Sequence, residues 1–214
     1  IQNRFHDYDV FDHSLRSCDL APVEKPTVRW AALLHDIAKP ATQRPKGRDF
    51  SFHGHDELSA ELAAKALRRL ALPRELRERA CRLIKNHMLR YIPEWSDAAV
   101  RRFVRRVGPE NIADLFDLVI ADRQAHRREE AFQLPADITG LLGRIETLGA
   151  AGAPLTAADL ELTGDDLLAL AGRPPGRWVG EILDRLVEEV VEDPELNRRE
   201  ALLERAREIL SDER

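Results

Sequence analysis

Apolar residues recur at intervals of three and four through most of this chain, the spacing of helices that bury one face. The pattern predicts a first helix over residues 9–20, with Pro22 and Pro26 punctuating the turn after it. Pro26 suits the first position of a second helix, which the pattern carries to about Ala38, ahead of Pro40. Residues 40–54 lack a helical period and read as a loop, with a short strand near Phe50–Phe52 as its one ordered element. A third helix is expected over 55–70 and a fourth from Pro73 to about 89. Ser96 is placed to cap a fifth that ends at Gly108, and Pro109 opens a sixth reaching about 130.

After Pro135 the glycines at 140, 143, 149 and 152 loosen the next helix and mark a boundary near 150–156. Short helices follow near 164–170 and over 178–191, the latter striped by Ile182, Leu183, Leu186, Val187 and Val190. A last helix reads as opened by Asn197 with Glu200 as a capping-box partner, burying Leu202, Leu203, Ala206 and Leu210. No strand pattern competes with these, so the predicted fold class is all-α.

Composition narrows the class. Hydrophobic residues make up 43% and charged residues 33% of the 214, as in a folded globular chain. No apolar run approaches the roughly 20 residues that span a bilayer. Cys18 and Cys81 lie within helical patterns and are expected as buried thiols, which implies a cytoplasmic protein rather than one built on disulfides. The chain opens at Ile1 inside what reads as a structured segment, as expected of a piece of a longer polypeptide. The net charge of −5 conceals an asymmetry: residues 136–214 carry 9 Arg against 18 Asp plus Glu, whereas 68–106 carry 12 basic residues against 4 acidic. That basic stretch either meets a phosphate backbone or forms solvated helix faces with pairs such as Arg74–Glu78 and Glu75–Arg79. Arg101, Arg102, Arg105 and Arg106 have no acidic neighbour at helical spacing apart from Asp97.

Several of the seven histidines stand where a metal would need them. His35 and Asp36 end the apolar run Trp30–Leu34, where polar groups are costly unless partnered. Imidazole and carboxylate together suit Zn, Fe, Mn, Ni or Co. His13 lies on the preceding helix, and Asp122 follows the apolar run 118–121 on a later one. His126, four residues on, shares the face of Asp122 and is expected to face substrate or support the ligands. His6 and His53 read as surface residues.

The order H…HD…D on successive helices, with "LLHDIAKP" at its centre, resembles the HD phosphohydrolase superfamily. The words "QNRFHDYDVFDHSL", "FHGHDELSAELA", "CRLIKNHML" and "ADR" are similar to the HD domain of bacterial tRNA nucleotidyltransferases, the CCA-adding and poly(A)-polymerase-like family. "PLTAADLELTGDDLLAL", the stretch 176–183 and "EDPELNRREALLERA" resemble that family's C-terminal tRNA-binding part. The resemblance implies an HD helical bundle over 1–150 and a helical tail over 151–214. That family's nucleotidyltransferase head carries a Gly-Gly…Arg-Asp turn and a paired-Asp motif, and this chain has neither, so it is not expected to add nucleotides by itself.

Carried over position by position, the resemblance makes His13, His35, Asp36 and Asp122 the ligands of one divalent metal. His55 and His87 fall where two-metal members of the superfamily place further ligands. With one ion only, they would contact substrate phosphate instead. The implied cofactor is therefore one or two ions of Ni, Mn, Co, Fe or Zn, with Mg as an alternative. Asp36, Lys39, His55 and His87 are the expected catalytic groups, and Lys39, Arg44 and His126 the expected substrate contacts; a solvated loop is an equal reading for Arg44. The implied reaction is hydrolysis of phosphomonoesters or 2′,3′-cyclic phosphodiesters on nucleotides or RNA ends. The alternative is a non-catalytic, tRNA-binding body of a nucleotidyltransferase. A cyclic-di-GMP phosphodiesterase would carry a Gly-Tyr-Pro motif, which is absent. The tail's Leu and Val stripes suit packing on the HD helices or a homodimer, and periodicity does not choose between them.

Overall fold

The computed structural model describes residues 8–47, 49–126, 135–150 and 155–212. His6 lies outside them. The helices of the N-terminal half are α1 (Val10–Leu20), α2 (Pro26–Leu34), α3 (Lys39–Thr42), α4 (His55–Arg69) and α5 (Arg74–Asn86). They are followed by α6 (Asp97–Val107), α7 (Ile112–Ala125), α8 (Ala136–Ala150), α9 (Gly164–Ala171), α10 (Arg177–Glu192) and α11 (Arg199–Asp212). Among the described residues the only sheet is an antiparallel hairpin, β1 (Arg44–Lys46) with β2 (Asp49–Ser51), in which Arg44 pairs with Ser51. The all-α class holds.

The chain divides into two compact units: residues 1–91 with 107–138, and residues 92–106 with 139–214. In the first, α2 is central and packs on α1, α4, α5 and α7. Pro26 starts it without sacrificing a hydrogen bond, since the first helical N–H has no partner within the helix. Its Val28, Ala31 and Ala32 are fully buried, as are Ala63 on α4 and Ala80 on α5. These small side chains let the backbones approach, and Leu67, Leu83, Ile84, Leu115 and Leu118 fill the remaining space. At one end, Lys25 Nζ reaches Asp117 at 2.6 Å and Asp114 at 3.0 Å, while Arg79 Nη2 reaches Asp114 at 2.7 Å. Arg79 thus leaves the expected Glu75 partner for a carboxylate on α7. Arg74–Glu78 forms as expected, at 2.6 Å. Cys18 and Cys81 are free and half-buried rather than buried, and burial raises both thiol pKa values.

Two departures in this unit shape the site. α2 stops at Leu34 and residues 35–38 form a turn before α3, where a helix to Ala38 is expected. α5 likewise ends at Asn86 instead of 89. In both places the residue that follows the last helical turn, His35 or His87, faces inward and belongs to the centre described below.

In the second unit α9, α10 and α11 close around Leu162, Leu167, Ile182, Leu186, Val190, Leu202 and Ala206. α6 supplies the basic partners of α10. Buried Arg101 donates to the carbonyls of Val191 (2.7 Å) and Glu192 (3.2 Å), and Arg102 pairs with Glu192. Arg105 pairs with Glu188 and, at 3.3 Å, Asp184. Arg102 and Arg105 thus find acidic partners that helical spacing does not supply, those of Arg105 lying 79 and 83 positions away in sequence. Ser96 caps α6 through the N–H of Ala99, at 3.1 Å. α8 runs unbroken through Gly140, Gly143 and Gly149 despite the expected loosening, with Leu141 fully buried. Asn197 does not cap α11: its side chain accepts from Glu161 N–H and donates to the Asp159 carbonyl, each at 3.0 Å.

Candidate metal centre

The polar residues of the first unit converge mostly from helix ends. His35 and Asp36 follow the end of α2, His55 opens α4, His87 caps α5 and His126 caps α7. His13 and Asp122 project from within α1 and α7. Consecutive residues of a helix point about 100° apart. His35 keeps helical dihedrals, φ −59° and ψ −32°, and both it and Asp36 are buried; Ser59 Oγ on α4 anchors the turn that follows by accepting from Ala38 N–H at 3.1 Å. Before His55, Gly54 adopts φ +74°, a left-handed conformation that a side chain resists.

One device orients three of the imidazoles. His35, His55 and His87 each place Nδ1 2.7 Å from the carbonyl three residues earlier: Ala32, Phe52 and Ile84. A carbonyl only accepts, so each Nδ1 carries a proton and each Nε2 is aimed into the cluster. There His55 Nε2 and His87 Nε2 face one another at 3.3 Å. In neutral rings two lone pairs would then meet, an arrangement that a shared cation makes favourable.

Two carboxylates complete the cluster. Asp122 Oδ1 is 2.9 Å from His13 Nε2 and 3.3 Å from the Nε2 atoms of His35 and His126. Asp36 Oδ2 is 3.2 Å from His35 Nε2 and 3.6 Å from His13 Nε2, and its Oδ1 is 3.4 Å from His55 Nε2 and 3.9 Å from His87 Nε2. Asp36 thus bridges two groups: His13 and His35 on one side, His55 and His87 on the other. Its carboxylate is fully buried, and neither oxygen has a hydrogen bond of good geometry, so the donor chemistry fits a divalent cation.

The charges agree. Burial works against ionising Asp36 and Asp122, yet the surrounding imidazoles, with Lys39 at Asp36, hold both carboxyl groups well below their usual range. Burial also opposes a charge on His35, but Asp36 and Asp122 outweigh it and push its pKa up to about 10. Burial, with the neighbouring His35 charge, takes His87 down to about 4.

Of the remaining expected residues, Lys39 is buried with Nζ 2.6 Å from Asp36 Oδ2 and 5.7 Å from the centre of the Phe52 ring. Arg44 lies exposed on β1, where it donates to the carbonyl of Gln43 at 2.9 Å and not to a residue of the cluster. His53 is exposed. The charge-balancing position of Lys39 beside Asp36 had only its i+3 spacing as a sequence signal.

The family model for the HD domain matches residues 10–127, which carry all seven residues of this cluster and Lys39. The chain is 38% identical over 198 residues to an A-adding tRNA nucleotidyltransferase of Deinococcus radiodurans, covering 87% of this chain and 44% of that protein. It is 37% identical over 187 residues to a CC-adding tRNA nucleotidyltransferase of Thermus thermophilus, covering 86% and 39%. A multifunctional CCA protein of Cupriavidus necator is 29% identical over 168 residues, covering 75% and 39%. The chain spans about two fifths of the length of these curated relatives. No solved structure matches it. With more than half of its length matched and a His–Asp cluster laid out on the matched helices, this chain belongs to the HD domain family.

Proposed function

We propose that residues 1–150 form a metal-dependent phosphohydrolase that acts on phosphomonoesters or 2′,3′-cyclic phosphodiesters of nucleotides or RNA ends. The observation that carries this reading is the inward aim of the Nε2 atoms of His35, His55 and His87 around the buried Asp36 carboxylate. His13, His35, Asp36 and Asp122 hold one ion of Mn, Fe, Co, Ni or Zn, with Mg as an alternative. His55 and His87, with Asp36, would hold a second, or else would contact substrate phosphate. A divalent ion supplies acidified water near neutral pH and positive charge for the phosphoryl oxygens.

The protein's own groups do the positioning. The three carbonyl-anchored imidazoles need no rotation to present Nε2, which lowers the reorganisation required on binding. Lys39 orients Asp36 and places a cation beside the centre, where it also meets substrate phosphate. Arg44, on the exposed strand, serves as an outer phosphate contact, and His126 lines the partly open side. No side-chain nucleophile is required.

A second reading has its own support. The relatives are named for adding nucleotides to tRNA, and the similarity extends over 86–87% of the chain and so into the tail. In that reading the chain is the tRNA-binding body of a longer enzyme, and residues 151–214 are its RNA-binding tail. Both functions fit in one protein. Hydrolysis of 2′,3′-cAMP and of a generic phosphomonoester by metal-stripped protein, with Ni, Mn, Co, Mg or Zn restored, separates them. Turnover that depends on metal and disappears in His35→Ala and Asp36→Ala is the expected result. Salt-dependent tRNA binding without turnover in any metal would leave the body reading alone.

A further inference from the structure

We propose that His126 is a further metal ligand, so that the ion beside Asp122 is held by three imidazoles, those of His13, His35 and His126. The inference rests on the reading that the centre binds a divalent ion. Its first support is which carboxylate oxygen His126 faces. A residue that merely steered Asp122 from outside would bond to the oxygen turned away from the ion. His126 Nε2 instead approaches Oδ1, at 3.3 Å, the same atom that His13 and His35 approach at 2.9 and 3.3 Å.

The spacing gives the second support. Ligand bonds of about 2.0–2.2 Å place adjacent donors around one ion roughly 3 Å apart. The separations of 2.9–3.3 Å around Asp122 Oδ1 are of that size. The rings are also spaced alike: the centroids of His13 and His126 are 5.3 Å apart, against 5.3 Å for His13–His35 and 5.2 Å for His55–His87. The ligand atoms of His13, Asp122 and His126 all lie within 4.8 Å of one another. Asp122 and His126 are one turn apart on α7, so a single helix face presents both.

His126 is 32% exposed, whereas the rings of His13 and His35 are buried, so it closes the solvent side of the ion. His126 thereby adds a donor on the side of the centre formed by His13 and Asp122.

The test is titration of metal-stripped protein with Co(II), followed by visible absorption, whose intensity and position report donor number and type. His126→Ala is compared with the parent, and His126→Gln is used if the alanine variant does not fold by circular dichroism. The expected result is binding at least about tenfold weaker, which is the loss that even supporting residues cause. It is accompanied by a changed cobalt spectrum with one imidazole fewer. A variant spectrum identical to the parent's, whatever the affinity, overturns the ligand role and leaves the centre standing. A parent that takes up no cobalt overturns the metal reading as a whole, so the two failures are told apart without any activity measurement.

Discussion

Replacing Lys39 with methionine removes a buried ammonium 2.6 Å from a carboxylate oxygen of Asp36. The side chain of Lys39 is 10% exposed and that of Asp36 is fully buried, so solvent does little to replace the lost charge. Methionine keeps most of the apolar stem, which isolates the electrostatic effect from packing. Removing one partner of a buried pair costs about 3–5 kcal/mol, because the other charge is left uncompensated. The imidazoles of His13, His35 and His55, 3.2–3.6 Å from Asp36, absorb part of that, so the low end is expected, about 3 kcal/mol. In a chain of this size it corresponds to a fall of roughly 6–12 °C in Tm. A divalent ion at the centre replaces the missing positive charge. Lysine and metal therefore compete for Asp36, and the variant should bind metal more tightly and gain more stability from it than the parent. A ligand at 100 times its Kd contributes about 2.7 kcal/mol, enough to recover most of the deficit. Melting curves of metal-stripped and Mn-saturated protein at pH 7, followed by circular dichroism, give all four values. If the metal-free variant melts within about 2 °C of the parent, Lys39 is not the counter-ion of Asp36 and the charge balance described here is wrong.

Three further outcomes are expected. Without metal, the raised pKa of His35 contributes stability that is complete below its ordinary pKa near 6.5 and is lost as pH rises toward about 10. Metal uptake must displace that proton, so calorimetric titrations in buffers of different ionisation heat should show proton release between those limits; heats independent of buffer would contradict it. Arg101→Leu strips two hydrogen bonds from the last carbonyls of α10 and should cost about 2–4 kcal/mol by urea denaturation, with Co(II) affinity unchanged. Gly54→Ala must hold a side chain at φ +74° immediately before His55. It should destabilise by about 1 kcal/mol and weaken metal binding, whereas an unchanged cobalt spectrum and Tm would show that α4 starts independently of this turn.

His35 and Asp36 stood out because polar groups at the end of an apolar run need a partner, and the structure brings them together with His13, His55, His87 and Asp122. The helical period located α1, α4, α6 and α10 closely, because each buries a continuous face. It overran the ends of α2 and α5, since periodicity carries no mark for where the backbone hydrogen-bond ladder stops. Asn197 matched a local capping pattern yet serves residues 159 and 161, a competition between local and distant hydrogen bonds that sequence order conceals.

Composition, period and motif by themselves determined the all-α class, the helix count along most of the chain and which histidines and aspartates are candidates for a cluster, because these depend on short-range spacing and on side-chain chemistry. Tertiary structure decided what depends on separation in space. It set which Asp36 oxygen faces which imidazole, the protonated Nδ1 of three histidines, and Lys39 as the counter-charge of Asp36. It also decided that Arg101, Arg102 and Arg105 meet the carbonyls and carboxylates of α10. The reason is physical: a charge in a low-dielectric interior is governed by neighbours a few ångströms away, and those neighbours lie as many as 109 positions apart along this chain.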